Sequence, residues 1–316
     1  MSAASARYGA VLIVGFGGPE SAAEIRPFLD RVLAGRPVPP ARYEDVVHHY
    51  ELIGGRSPYN EITARQAKAL AAQLRRDGIE LPVAIAMRNA APFPADTIRR
   101  LTKQGVRRML GFVMAAHRCE ASWDRYLANV EAARVEVGVD APAVDYLGPW
   151  HDNPFFAEAV ADRIAGALAR FEPPIRERAR LIFTAHSIPV AMASASRYVE
   201  EITESARMAA DRAGAREWSL AFQSRSGSPR DPWLEPDVSD SIRALGAGDA
   251  AVLVPIGFLS DHVEVLYDLD IEAAETARVA GVRLERAATV GDHPRFIEMI
   301  AALIREHLER ASALGA

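Results

Sequence analysis

The sequence predicts an α/β protein with mostly parallel sheets, divided into two domains. Three observations lead there. The chain has 316 residues, and domains run at roughly 100–200 residues each. Short apolar runs of strand length recur from end to end. Longer stretches with helical spacing separate them, and that alternation builds parallel sheets with helices on their faces.

The strands are read in order as "GAVLIVGF" (9–16), "PVAIAM" (82–87), "RRMLGFVM" (107–114) and "PAVDYLG" (142–148), then "ARLIFTAH" (179–186), "WSLAFQS" (218–224) and "AAVLVPIGF" (250–258). Each is dense in branched or aromatic residues and ends in a glycine, proline or polar turn. "ITARQAKALAAQLRRDG" (62–78) and "NPFFAEAVADRIAGALARF" (153–171) carry the apolar stripes of amphipathic helices. "GPWHDNP" interrupts the pattern near residue 149, so the domains are expected at 1–149 and 150–292. "FEPPIRERAR" (171–180) reads as a connector. The last helix, 293–314, has an apolar stripe and is expected to pack back on the first domain.

Composition removes several classes of function. Apolar residues make up 49% and charged residues 25%, ordinary for a globular protein with a real core. The net charge of −5 leaves no basic excess for nucleic acid. Cys119 is the sole cysteine, which excludes an intramolecular disulfide, a cysteine-ligated iron–sulfur cluster and a zinc knuckle. The opening "MSAASARYGAVLIVGFGG" lacks the apolar core of a signal peptide. No segment approaches the ~18 apolar residues of a membrane span. A soluble, cytoplasmic protein is expected.

Three stretches carry candidate chemistry. "GFGGPE" (15–20) follows a strand, but a dinucleotide fingerprint needs a third glycine where Glu20 stands, so a nicotinamide cofactor is not expected. The glycines suit a tight turn, a ligand-contacting loop, or both. "FTAHSIP" (183–189) puts His186 at the carboxyl end of a strand, where α/β proteins present functional groups. No G-x-S-x-G surrounds Ser187, which argues against a hydrolase elbow. "GFLSDHVEVLYDLDIE" (257–272) spaces Glu264, Asp268 and Glu272 four apart on a predicted helix, with Ser260 or Asp261 as its cap. On an α-helix such residues lie about 6 Å apart along the axis and about 40° apart around it. No Lys or Arg falls between 257 and 277 to pair with them. The ridge is either an exposed acidic face or a path for a hard divalent cation on oxygen ligands.

Six strings in order resemble the ferrochelatases, enzymes that insert iron(II) into porphyrin: "GFGGPE", "HHYELIGGRSPYNEIT" (48–63), "AMRNAAPF" (86–93), "FTAHSIP", "FQSRSG" with "PWLEPDV" (222–238), and "GFLSDHVEVLYDLD" (257–270). The resemblance implies two Rossmann-like domains of the chelatase type with parallel four-stranded sheets and a porphyrin in the cleft between them. It implies that His186 and Glu264 are the catalytic pair, facing each other across the porphyrin centre and meeting the metal. Asp268 and Glu272 would continue a metal-binding line away from it, on a helix locally widened to π form. Phe16, Gly17, Arg56, Ser57, Arg88 and Trp233 would line the porphyrin site, the arginines suiting propionates. Iron(II) is then a substrate. No resident cofactor is implied beyond a regulatory Mg2+ at the acidic ridge. The remaining expectations are a monomer, transient contact with haem-pathway enzymes, and no nucleic-acid partner.

The chemistry fits these roles. Metal insertion must remove two weakly acidic pyrrole protons, which calls for an acceptor near the macrocycle centre, and a histidine suits that task. Two features depart from the family. Phe16 stands where some coproporphyrin-using relatives carry a tyrosine able to ligate product iron, and "MAAHRCEASWDRY" (114–126) stands in place of the family's commoner small polar loop, which leaves the role of His117 open, a pocket wall being favoured over a ligand. The "PWLEPDV" form and the lack of a membrane-binding extension resemble the coproporphyrin III branch. Protoporphyrin IX is the alternative substrate, and a non-catalytic haem carrier the alternative class.

Overall fold

Apolar runs with branched side chains have little reason to coil, and here they extend and pair. The structure is a computed structural model that describes residues 8–35, 38–226 and 231–313. Gly227, which closes "FQSRSG", and Leu314 lie outside the described residues. The first sheet takes β1 (Ala10–Gly15), β2 (Val83–Met87), β3 (Arg108–Val113) and β4 (Ala143–Leu147) in the order β2-β1-β3-β4. The second takes β5 (Arg180–His186), β6 (Trp218–Gln223), β7 (Ala250–Val254) and β8 (Arg283–Arg286) in the order β6-β5-β7-β8. All pairs are parallel. The two sheets therefore share one topology, although the halves share no visible sequence repeat. Strand β8 is an addition to the seven read from sequence. Its "RLER" offers one apolar residue and sits at a sheet edge, so it shows no apolar run.

The helices in the first half are α1 (Ala22–Val32), α2 (Pro40–Leu52), α3 (Tyr59–Arg76), α4 (Pro94–Lys103) and α5 (Arg125–Val137), with a π turn at Glu120–Asp124. In the second half lie α6 (Pro154–Leu168), the short α7 (Pro173–Arg176) and α8 (Val190–Ser194), then α9 (Tyr198–Ala213), α10 (Val238–Arg243), α11 (Val263–Leu266) and α12 (Ala274–Ala280). The connector read at 171–180 thus contains one short turn of helix.

One apolar core runs through both halves, joining Ile13 and Phe112 beneath the first sheet to Phe183 and Val254 of the second through Trp150 and Phe156. The last helix, α13 (Pro294–Ala313), closes it with Phe296, Ile300 and Ile304. It packs both on α3 of the first half and on α6 of the second. Its outer end is pinned to the first sheet: Tyr8 donates to Asp145 at 2.6 Å, lies 2.9 Å from His307, and Arg108 grips the same carboxylate at 2.6 and 2.9 Å.

A buried ion pair ties the halves on the other side. Glu201, on α9, is fully buried. Its carboxylate accepts from the Arg118 backbone N–H at 2.8 Å and from the guanidinium at 2.8 and 2.5 Å. Arg118 belongs to the segment that follows β3, so the contact crosses from one half to the other.

Candidate active site

Parallel sheets gather their functional groups at the carboxyl ends of their strands, and here both sheets contribute. β5 ends in His186. β7 leads through Pro255–Asp261 into α11, whose second residue is Glu264. The imidazole Nε2 of His186 lies 3.5 Å from Glu264 Oε1. Side-chain exposures of 28% and 37% leave the pair recessed but reachable. Nδ1 of His186 contacts the Ser187 carbonyl, which fixes the ring and turns Nε2 towards Glu264. Tyr198, on α9, donates to the His186 carbonyl at 3.0 Å.

The helix cap differs from expectation. His262, not Ser260 or Asp261, caps α11: its Nδ1 accepts from the Glu264 N–H at 3.1 Å. Asp261 is engaged elsewhere, with Arg286 at 3.3 Å and the Thr289 hydroxyl at 3.1 Å. After α11 the helix widens to a π segment, Asp268–Ala273, in which the Glu272 N–H reaches back five residues to Tyr267. The 40° offset of a regular helix therefore does not hold. Exposure does not rise steadily along the three acids: Glu264 is half-buried, Asp268 is buried and Glu272 is exposed.

Electrostatics separates the ridge from its neighbours. Arg286 takes Asp261 and Asp270, leaving Glu264 and Asp268 to His186 and to the Ser224 hydroxyl. Burial works against charge on His186, yet Glu264 beside it raises the imidazole above its ordinary value. Burial likewise opposes charge on Glu264, and His186 overrides it, holding the carboxyl well below the ordinary range. Asp268 goes the other way. Burial lifts it to about 7, the Ser224 hydrogen bond offsets only part, and Glu264 and Glu272 push further upward. A carboxyl that holds a proton near neutral pH thus stands directly behind an ionised one. Glu272, although exposed, is raised by partial desolvation from its neighbours and by Asp237.

The first half packs aromatic residues against the helix that carries Glu264. Phe16 follows β1 and packs edge-on to Phe28 of α1, 6.1 Å between centroids; Phe28 meets Tyr50 of α2 in the same way. Val263 joins this apolar cluster from α11. His49 of α2 stacks on Tyr267 at 3.5 Å between centroids. Tyr59 lies 6.3 Å from His262. Arg88 follows β2 and is half-buried, close enough to act electrostatically on Tyr126, as Glu264 does. Trp233 pairs with Pro189, just beyond His186. Phe16, Arg88, Trp233, His186, Glu264 and Asp268 therefore gather around the strand ends.

Other predicted residues sit differently. Gly17 has φ +86°, and a Cβ there would stand 2.8 Å from Ala90. A Cβ on Gly18 would stand 2.6 Å from Ser57, which is itself buried. Close packing explains the glycines, so the tight-turn reading holds at these positions. Arg56 is exposed. His117 is buried, 3.1 Å from the Ser205 hydroxyl, and burial pushes it down to about 3. It stays neutral, packed against Ser205 and Tyr198 of α9. Among the described residues, no three His, Cys, Asp or Glu side chains form a preformed ion cage. Sequence reasoning missed the roles of His262, Gln223 and Ser224, all of which sit beside residues it named.

Comparison with known proteins agrees with this geometry. The model of the family described as ferrochelatase matches residues 8–308. The chain is 42% identical to the ferrochelatase of Rhodopirellula baltica over 314 residues, covering 98% of this chain and 89% of that protein. It is 42% identical to the coproporphyrin III ferrochelatase of Mycolicibacterium smegmatis, covering 95% and 90%. Among solved structures, SirB from Bacillus subtilis, solved with Fe3+, matches with TM-score 0.60 at 14% identity, covering 97% of this chain and 98% of that one. CbiX, of sirohaem biosynthesis in denitrifying bacteria, matches at 0.52 and 19%, covering 94% and 98%. These two structures show the fold, which is the two-sheet chelatase fold, and the family match over nearly all of the chain settles the rest: the chain belongs to the ferrochelatase family.

Proposed function

We propose that the protein inserts iron(II) into coproporphyrin III to give coproheme, a step of haem biosynthesis. The observation that carries the reading is the His186–Glu264 pair, 3.5 Å apart and recessed at the carboxyl ends of the strands, with aromatic residues of the first half packed against the Glu264 helix. Relatives named for coproporphyrin III, at 39–42% identity, support the choice of porphyrin.

Insertion exchanges two pyrrole protons for one Fe2+, so charge is conserved on the macrocycle. His186 Nε2, when neutral, is the proton acceptor in reach of the ring centre. Glu264 stabilises the imidazolium that results. Asp268, neutral or charged near pH 7, can then pass a proton or a cation outward towards Glu272. Phe16 and Trp233 offer flat apolar faces for the ring, Gly17 and Ser57 shape the loop beneath it, and Arg88 and Arg56 suit the propionates. Distortion of the ring would draw on binding energy along these faces.

No helix among the described residues is long and apolar enough to cross a membrane. The same reading places the enzyme in the cytoplasm as a monomer with transient haem-pathway contacts, and a regulatory divalent ion such as Mg2+ at the outer, Glu272 end.

Anaerobic iron(II) insertion into coproporphyrin III and protoporphyrin IX, run side by side, tests the reading. Faster turnover of coproporphyrin is expected. Faster protoporphyrin turnover overturns the choice of substrate, and tight binding without insertion would make the protein a carrier. Glu272→Ala is expected to raise the KM for iron about tenfold while leaving porphyrin affinity in place; an unchanged KM would remove Glu272 from the metal path.

A further inference from the structure

The last residue of β6 and the residue after it reach two of the three ridge positions, Glu264 at its backbone carbonyl and Asp268 at its carboxylate. β5 and β6 are parallel with His186 opposite Gln223, and the Ser187 N–H donates to the Gln223 carbonyl at 2.7 Å. The backbone of Gln223 is thus fixed to the strand that carries His186. Its side-chain amide donates across to the carbonyl of Glu264. One residue therefore spans from the histidine strand to the acid helix. Its Oε1 is buried with no partner, so the carboxamide is oriented for the Glu264 contact alone, leaving a buried acceptor unmet.

The next residue is held under strain. Ser224 has φ +63°, the single non-glycine residue in the left-handed region among the described residues. Glycine would adopt that conformation freely. Serine adopts it at a cost, and such outliers concentrate where function needs them. What serine adds is a hydroxyl, and that hydroxyl donates to the carboxylate of Asp268.

We propose that Gln223 and Ser224 form the positioning element of the relay: Gln223 sets the gap between His186 and Glu264, and strained Ser224 aims the Asp268 carboxylate along the line from Glu264 to Glu272. Neither residue is catalytic in the sense of accepting the pyrrole protons. The inference rests on the insertion reading given above and adds a rigid ruler to it. It also explains why the strand end carries polar residues where a plain turn would have sufficed.

The test compares Ser224→Gly, Ser224→Ala and Gln223→Met with wild type for anaerobic iron insertion, coproporphyrin affinity by fluorescence quenching, and thermal unfolding. Ser224→Gly removes the hydroxyl and relieves the backbone, so it should be slower by about tenfold in kcat and yet more heat-stable than wild type. Ser224→Ala should be equally slow, with no gain in stability. Gln223→Met should lower kcat with porphyrin affinity within about twofold, since the ring faces are untouched. A Ser224→Gly enzyme with wild-type kcat and iron KM overturns the proposal, as does a loss of kcat matched throughout by a loss of porphyrin affinity. Wild-type protein that inserts no iron in the same assay overturns the insertion reading itself, and the positioning role falls with it.

Discussion

His186→Ala should lower iron insertion by about 10²–10⁴-fold, the range for removing a general base, while coproporphyrin still quenches on binding. Glu264→Gln should also be severely slow, but its residual activity should carry a different pH profile. The pair works in two opposed directions. His186 has a raised value in the folded protein, so its share of the pair's stabilisation is complete below the ordinary histidine value near 6.5 and is lost as pH rises through the raised value. Glu264 has a depressed value, so its share is present above the ordinary glutamate range and is lost as pH falls towards the depressed value. The ion pair is therefore complete between those two ordinary values. Accepting a proton, however, requires neutral His186. Turnover should climb with pH while the pair's stabilisation declines. Glu264→Gln removes the charge that holds His186 protonated, so the ascending limb should move to lower pH. A pH–rate series for both enzymes decides it, and a limb that stays in place would show that another group sets the profile.

Glu201→Ala should be the most damaging change away from the site. Breaking a buried ion pair from one side typically costs about 3–5 kcal/mol, because the remaining charge is left uncompensated. Here the survivor, Arg118, has a side chain 35% exposed and recovers some solvation, which favours the lower end. The Arg118 backbone N–H loses its partner too. Replacing both residues, Arg118→Met with Glu201→Leu, should recover much of the loss, since an apolar pair needs no partner charge. Urea unfolding of the single and double variants measures both effects. Equal destabilisation in the two would mean that packing, not charge, dominates this contact.

Much of the fold was legible because burial writes itself locally. The run "AVLIVG" becomes β1, with every residue buried, and a strand buried on both faces can only be an apolar run. β8 was hidden for the same reason: an edge strand with a single apolar residue leaves no such run. The site was legible as positions and not as partners. His186 and Glu264 could be named, and the widened helix follows from the family resemblance. The cap could not be chosen, because Asp261 looks the better cap until Arg286, 25 residues on, claims it. Likewise "no Lys or Arg between 257 and 277" was true and incomplete, since Arg286 neutralises Asp270 from the neighbouring strand. The stack of His49 on Tyr267 and the Ser224 contact to Asp268 span 218 and 44 positions. Polar pairing at that range has no periodicity to betray it.

The knot of Tyr8, Asp145 and His307 has a practical corollary. It brings the first described residue of the chain to within 2.9 Å of a residue near the end of α13, at the edge where β1 begins. The candidate site lies towards the other end of β1, six residues along the strand, a span of about 20 Å at ~3.3 Å per residue. A label attached at an exposed position of α13 near His307 would therefore sit at the opposite end of the first sheet from the strand ends that carry the site. The molecule can thus be held at that edge with the His186–Glu264 end left facing away from the support.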